Sequence, residues 1–192
     1  AQLWGFPDYA VPSANMGPAT FIAGTYGTGL NDASGKLDAF GAIVGRTGES
    51  ASFVGGLGLV TGGGDDEITV GGAVGVDLVK GESVTLGFNG GIGYFAPGEA
   101  TGWRFPLGIA IKGFVESPEA AIAPWVMPRL NIVRSSLGDL AETTTDLGAS
   151  AGVAFTFPSG FGVHTALDVV FSDPEEVWQF GVGGHYLLGG DR

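Results

Sequence analysis

His164 and Asp168 are the residues of this sequence whose types most directly suggest acid–base chemistry. A histidine whose ring is oriented by an aspartate can act as a general base. Both residues lie in a segment, 161–171, whose apolar residues occupy alternate positions, as in a β-strand. Four residues along a strand span about 13 Å, which is too far for a hydrogen bond. We therefore predict no catalytic residues, no cofactor and no tight metal site.

Acidic residues are concentrated between the alternating segments. The predicted acidic rim consists of Asp65, Asp66, Glu67, Asp173, Glu175 and Glu176. Clustered carboxylates can bind Ca²⁺, but the twelve-residue calcium-loop pattern does not occur. We expect a solvated rim that attracts divalent cations weakly and exchangeably.

A second set of charged residues occupies the polar positions of the alternating segments. This predicted interior network has five basic and four acidic members: Lys36, Asp38, Arg46, Asp77, Arg104, Lys112, Arg129, Asp146 and Asp168. Charges that leave water need partners, so the near balance of signs predicts ion pairs filling an enclosed space. A charged constriction in a pore would use the same residues. Arg104 and Lys112 are expected to neighbour Asp77 or Asp146.

The elements that carry these residues are predicted to be β-strands. Between Trp103 and Lys112 one face is wholly apolar, and the other carries Arg104 and Lys112. The same alternation recurs at 68–78, 84–94, 147–157, 161–171 and 178–188, and more weakly at 18–30, 36–46, 50–61 and 121–133. Pro124 and Pro128 should bend or bulge the last segment, because proline cannot donate to a sheet ladder. The 37 glycines disfavour helices.

The connections between these segments are of two kinds. Short turns are expected at 46–49, 80–83, 117–119 and 158–160. Longer, acidic loops are expected at 31–35, 61–67, 96–101, 134–143 and 172–176. Short turns alternating with longer loops are typical of outer-membrane barrels.

Composition restricts the class of protein. Charged residues make up only 15% of the chain, and the mean hydropathy is +0.30, yet no run approaches the roughly 20 apolar residues of a spanning helix. In lipid, the remaining solution is a closed barrel. The net charge of −12 argues against a nucleic-acid partner. The absence of cysteine excludes disulfides and cysteine-based zinc sites.

Over residues 18–188 this pattern resembles the small bacterial outer-membrane β-barrel superfamily. Such barrels end on a strand that closes with an aromatic residue, as Gln179-Phe180-Gly181-Val182-Gly183-Gly184-His185-Tyr186 does here. The resemblance implies an all-β fold, a closed antiparallel up-and-down transmembrane barrel of about ten strands, with eight as the alternative. It also implies export to the outer membrane after removal of a signal peptide. We expect residues 1–17 to be an irregular segment and residues 189–192 a tail.

The functional expectation is a non-enzymatic role in envelope structure or a very narrow pore. Outer-membrane lipid is the expected partner, together with a second copy or another envelope protein. Two alternatives stay open. One is a secreted or surface-exposed all-β protein that self-assembles and buries the apolar face in a sandwich or between subunits. The other is a barrel-type outer-membrane hydrolase.

Overall fold

The alternating segments form one continuous antiparallel sheet. The structure, a computed structural model, describes residues 18–34, 37–62, 66–96 and 100–188. The predicted segment 1–17 and tail 189–192 therefore lie outside the described residues. The strands are β1 (Ala19–Gly29), β2 (Asp38–Thr47), β3 (Ala51–Thr61), β4 (Glu67–Lys80), β5 (Val84–Phe95), β6 (Ala100–Gly113), β7 (Val115–Glu116), β8 (Ala121–Leu137), β9 (Leu140–Thr156), β10 (Phe161–Phe171) and β11 (Val177–Leu188). Within the described ranges, no helix is long and apolar enough to cross a membrane.

The sheet closes on itself. β1 pairs with β11 from Thr20 opposite Leu188 to Gly29 opposite Gln179. On the far side of the ring, β6 pairs with β8, while the two-residue β7 continues the line of β6. Ten long strands thus form a closed up-and-down barrel, which confirms the predicted fold with ten strands rather than eight. In such a ring the backbone groups of each strand find partners on both sides, as lipid requires.

The apolar faces of the strands point outward. Ile109 on β6 and Leu167 on β10 are 40% and 47% exposed, whereas their inward neighbours Ala110 and Asp168 are 4% and 1% exposed. A soluble monomer rarely exposes such a continuous apolar surface. A sandwich would bury this face, whereas the closed barrel turns it outward all the way round. The outer surface is therefore the lipid-facing band of a membrane barrel.

Part of the barrel interior is also apolar. Phe21 on β1 is fully buried and packs with Ala39 and Ile43 of β2 and Val60 of β3. The ring of Phe21 lies against Gly45, where an added Cβ atom would come 2.4 Å from the ring. β2 therefore carries apolar residues on both faces, since Phe40 and Val44 are exposed on its outer side.

Prolines mark an irregularity in β8 without interrupting the strand. The pairing of β8 with β6 lapses between Arg129 opposite Gly108 and Val126 opposite Ile111, which is the stretch that contains Pro128. Because proline has no backbone N–H, the ladder loses a donor at this point. On its other side, β8 pairs with β9 without a break.

The loop predicted at 134–143 is wrong. β8 continues to Leu137, and β9 begins at Leu140 directly opposite, so only Gly138 and Asp139 form the turn. Gly138 has φ = 57°, a left-handed conformation that glycine adopts without strain. Thr143 lies among β-branched residues that favour the extended chain. The β8–β9 hairpin thus rises beyond the end of β10.

The outward facing of β6 predicts the effect of a charge in the lipid band. Replacing Ile109 with Arg should lower the free energy of unfolding by about 2–4 kcal/mol, because the guanidinium would enter hydrocarbon. Urea titration of the protein folded in lipid bilayers measures this loss. Leu137→Arg, at the exposed hairpin tip, is the control and should change stability by less than about 0.5 kcal/mol. Equal stability of both variants would contradict the assignment of Ile109 to the lipid-facing side of β6.

Candidate functional site

A buried ion pair joins two strands on the polar side of the barrel interior. Arg129 projects from β8 and Asp168 from β10, and β9 lies between these strands. Arg129 Nη1 lies 2.6 Å from Asp168 Oδ1, and both side chains are 0% exposed. Arg129 Nη2 donates a hydrogen bond to Asp168 Oδ2 at 2.8 Å. The contact is therefore bidentate, the strongest geometry for this pair of groups.

Neighbouring polar groups complete the surroundings of the guanidinium. Ser150 on the intervening β9 accepts a hydrogen bond from Arg129 and donates one to Asp168. Arg129 Nε donates to Asn131 Oδ1 at 2.9 Å. Gly148 makes the space for this arrangement, because a Cβ atom there would lie 2.9 Å from Asn131 Nδ2 and 3.2 Å from Arg129 Nη2. The charges thus have the partners that burial requires.

A second ion pair lies nearer the turn end of the barrel. Lys112 Nζ on β6 is 2.7 Å from Asp77 Oδ1 on β4, and Lys80 Nζ is 3.4 Å from Asp77 Oδ2. A bulge in β4 falls between Asp77 and Val79. Leu78 and Val79 are both exposed, so the extra residue returns Lys80 to the face of Asp77.

A histidine pair occupies the interior beside this end. His164 Nδ1 on β10 lies 3.4 Å from His185 Nδ1 on β11, and His185 Nε2 lies 2.9 Å from Thr156 Oγ1. Glycines on the facing strand accommodate both rings. A Cβ atom at Gly183 would come 2.3 Å from His164 Nε2, and one at Gly162 would come 2.2 Å from His185 Nε2. His164 contacts His185 rather than Asp168.

Sequence reasoning missed this pair, although a signal existed. His164 and His185 both alternate with apolar residues on consecutive segments, so the pattern puts both on the polar faces of their strands. Their contact depends on the register of β10 with β11, in which Gly162 faces His185 and His164 faces Gly183. The sequence pattern defines the face of each residue but not its height along the barrel axis.

Two members of the predicted interior network are placed on the outer face instead. Asp38 and Arg46 alternate on β2 with inward Ala39 and Ile43. Asp38 Oδ1 accepts a hydrogen bond from the Tyr26 hydroxyl at 2.7 Å, and Arg46 is exposed next to a turn. The prediction failed because β2 is apolar on both faces, so hydrophobicity could not distinguish inside from outside. Lys36, also predicted here, lies outside the described residues.

The remaining predicted charges are at the loop end. Arg104 on β6 and Glu67 on β4 both face inward, and Glu67 is half-exposed at the loop end of β4. Asp146 is half-exposed near the loop end of β9. Asp66, Asp173, Glu175 and Glu176 are exposed at this end, as expected of a rim. Asp65 lies outside the described residues.

Metal-binding geometry is not found in the described part of the chain, where no three His, Asp or Glu side chains come together to hold an ion. The exposed rim residues lie on two connections: Asp66 precedes β4, and the other three lie between β10 and β11. They create a negative surface rather than a coordination site.

Solved structures share this architecture. The translocator domain of the autotransporter NalP from Neisseria meningitidis is 15% identical, with a TM-score of 0.51, over 88% of this chain and 88% of that one. The fold is that of the bacterial outer-membrane β-barrels. The β domain of the Bordetella autotransporter BrkA is 10% identical, with a TM-score of 0.50, over 90% of this chain and 100% of that one. No protein-family model and no curated protein matches the sequence.

These similarities establish the fold alone, because the identities are low. The continuous apolar exterior of the chain independently indicates lipid surroundings. Its activity has to be argued from the interior and the two ends.

The central ion pair predicts an asymmetry between single and double substitutions. Asp168→Leu leaves the Arg129 guanidinium buried without its carboxylate and should cost about 3–5 kcal/mol in unfolding free energy. The double variant Arg129→Met/Asp168→Leu removes both charges and should recover much of that loss. Urea unfolding in bilayers measures both, with the half-exposed Asp146→Asn as control. If Asp168→Leu were as stable as the unsubstituted protein, the Arg129 guanidinium would have to be hydrated in the barrel interior.

Proposed function

We propose that the protein is a non-enzymatic structural element of the outer membrane whose lumen is closed or, at most, very narrow. The observation that carries this proposal is the Arg129–Asp168 pair. It joins β8 to β10 through Ser150 with no exposure of either charged side chain. A solute that crossed the lumen at this level would have to pass side chains packed so closely that they leave the ion pair no solvent-accessible surface.

Further interior layers support a closed lumen. Lys112, Asp77 and Lys80 meet at the turn end, and Arg104 and Glu67 lie nearer the loops. The apolar cluster around Phe21 fills the opposite side. A ten-stranded barrel has a small bore, so inward side chains leave little continuous space. Paired charges and apolar packing together favour a filled core over an ion pathway.

The same contacts support a non-enzymatic role over the hydrolase alternative. Ser150 is 2% exposed and already bonded to both Arg129 and Asp168. His164 and His185 are each 3% exposed and contact one another. A hydrolase needs a nucleophile or a bound water within reach of both a base and the substrate. Burial of these groups denies that access.

We also propose that the acidic loop end faces the outside of the cell. Short turns connect β2 to β3 and β4 to β5 at the opposite end, where β1 also begins and β11 ends. Bacterial barrels keep their short turns in the periplasm. The exterior rim is then negative, so it should repel anionic partners and hold divalent cations only weakly.

A closed lumen predicts that the protein does not conduct ions. The purified protein in a planar lipid bilayer should give no large, steady conductance, because Arg129 and Asp168 block the interior. Arg129→Ala/Asp168→Ala should raise the conductance, and Asp146→Ala should not. A large, steady, ion-selective current from the unsubstituted protein would overturn the closed-lumen proposal.

Sidedness can be tested by cysteine labelling, because the chain contains no cysteine. A membrane-impermeant maleimide added to intact cells should label Asp173→Cys in a long loop. It should reach Glu82→Cys, in a short turn, only after the outer membrane is permeabilised. The two positions are matched, since each replaces one exposed acidic residue. Labelling in the reverse order would invert the topology.

A further inference from the structure

The β8–β9 hairpin ends in a strand with one unpaired side. Residues 140–146 of β9, the free edge, pair only with β8, from Leu140 opposite Leu137 to Asp146 opposite Asn131. β10 reaches no further than Phe171, opposite Leu147. The other side of the hairpin is covered, because β6 follows β8 up to Ala100 opposite Leu137. Among the described strands, this is the longest stretch that pairs on one side only.

The free edge is extended and accessible. Its residues from Leu140 to Thr145 are exposed in unbroken succession, so neither face of the strand is covered. At alternate positions along such an edge, the backbone N–H and C=O groups point away from the existing partner. Its pairing with β8 has no bulge, and the segment contains no proline or lysine, features that commonly protect edges.

The charge beside the free edge is mostly negative. Glu142 and Asp146 lie within it, and Asp139 lies in the adjoining turn. The connection that follows β10, on the open side, adds the exposed residues Asp173, Glu175 and Glu176. Arg134 on β8 is the nearby base. A strand that docks here therefore meets unpaired backbone groups and a negative surface together.

We propose that the free edge binds an extended, basic segment of another protein as an additional β-strand. Backbone hydrogen bonds would supply the pairing, and lysine or arginine side chains opposite Glu142 and Asp146 would supply the selectivity. This interaction surface goes beyond the proposed envelope role and does not depend on whether the lumen conducts. It commits to a basic partner rather than to a second copy of this chain.

Charge disfavours the second copy. Antiparallel self-pairing centred on Thr143 would set each Glu142 opposite Thr144 of the other copy. It would also place each Glu142 diagonal to the Glu142 and Asp146 of that copy. Diagonal neighbours in a sheet are about 7–8 Å apart, and like charges in neighbouring positions destabilise the pairing. A lysine-bearing strand in the same position would convert these repulsions into attractions.

The first experiment uses the full chain in lipid nanodiscs and a synthetic peptide as long as the free edge. In this peptide, lysine alternates with valine and threonine. It should bind saturably and slow amide hydrogen exchange at 141–145. An N-methylated version, which keeps the charge but loses alternate N–H donors, should bind at least about tenfold more weakly. A version with glutamate for lysine should not bind.

Substitutions on the chain separate the free edge from the general charge of the rim. Glu142→Gln/Asp146→Asn should weaken binding of the lysine peptide by about 3- to 30-fold. Asp66→Asn removes an exposed carboxylate near β4, on the far side of the ring, and should leave binding unchanged. Resistance to heat-induced unfolding confirms that each variant is folded.

Four results would overturn the proposal. Equal binding of the N-methylated peptide would mean that the rim attracts cations without adding a strand. If Asp66→Asn weakened binding equally, the peptide would be attracted by the negative charge of the whole rim and not by the free edge. If the peptide did not bind at millimolar concentration, the free edge would not bind a basic segment. If nanodiscs paired through 140–146 in a concentration-dependent way, the free edge would bind a second copy instead.

Discussion

Backbone hydrogen bonding in hydrocarbon is the constraint on which the rest of this structure depends. Water is absent there, and each unsatisfied N–H or C=O costs several kcal/mol. The pairing of β1 with β11 removes the two edges that an open sheet would present. Closure with ten strands then fixes a narrow bore. Every inward side chain must consequently fit among side chains from the opposite wall, and the outer surface is left to lipid.

The narrow bore explains the chemistry of the interior. Charged groups placed there cannot remain hydrated one by one, so they meet in pairs, as Arg129 and Asp168 do. Large rings also require room, and glycine on the neighbouring strand provides it. Gly162 lies beside His185 and Gly183 beside His164. The abundance of glycine is thus partly a packing requirement of the interior, where a Cβ atom would overlap a ring.

The sequence predicts those structural properties that depend on neighbouring residues in the chain better than those that depend on contacts between strands. Strand bounds follow from alternation: the segments expected at 50–61 and 161–171 are β3 (Ala51–Thr61) and β10 (Phe161–Phe171). The side of the barrel wall to which each residue points can also be predicted where only one face of the strand is apolar. This prediction failed for Asp38 and Arg46 because β2 is apolar on both faces. Contacts between strands depend on register and curvature, so the histidine pair was missed. The turn at Gly138-Asp139 was read as part of a loop because its flanking residues are polar and carry little alternation.

The same constraint also determines where the barrel can leave a strand unpaired. Within the lipid band an open edge would be costly, and there each strand of the ring has two neighbours. Beyond the end of β10, water can hydrate the edge backbone of residues 140–146, so the hairpin can continue without a partner. Glu142 and Asp146 suit this aqueous setting, and their repulsion across a self-paired edge discourages association of identical chains. A free edge in water with mostly negative charge beside it is therefore compatible with stability in the membrane, and it stays available to a basic strand.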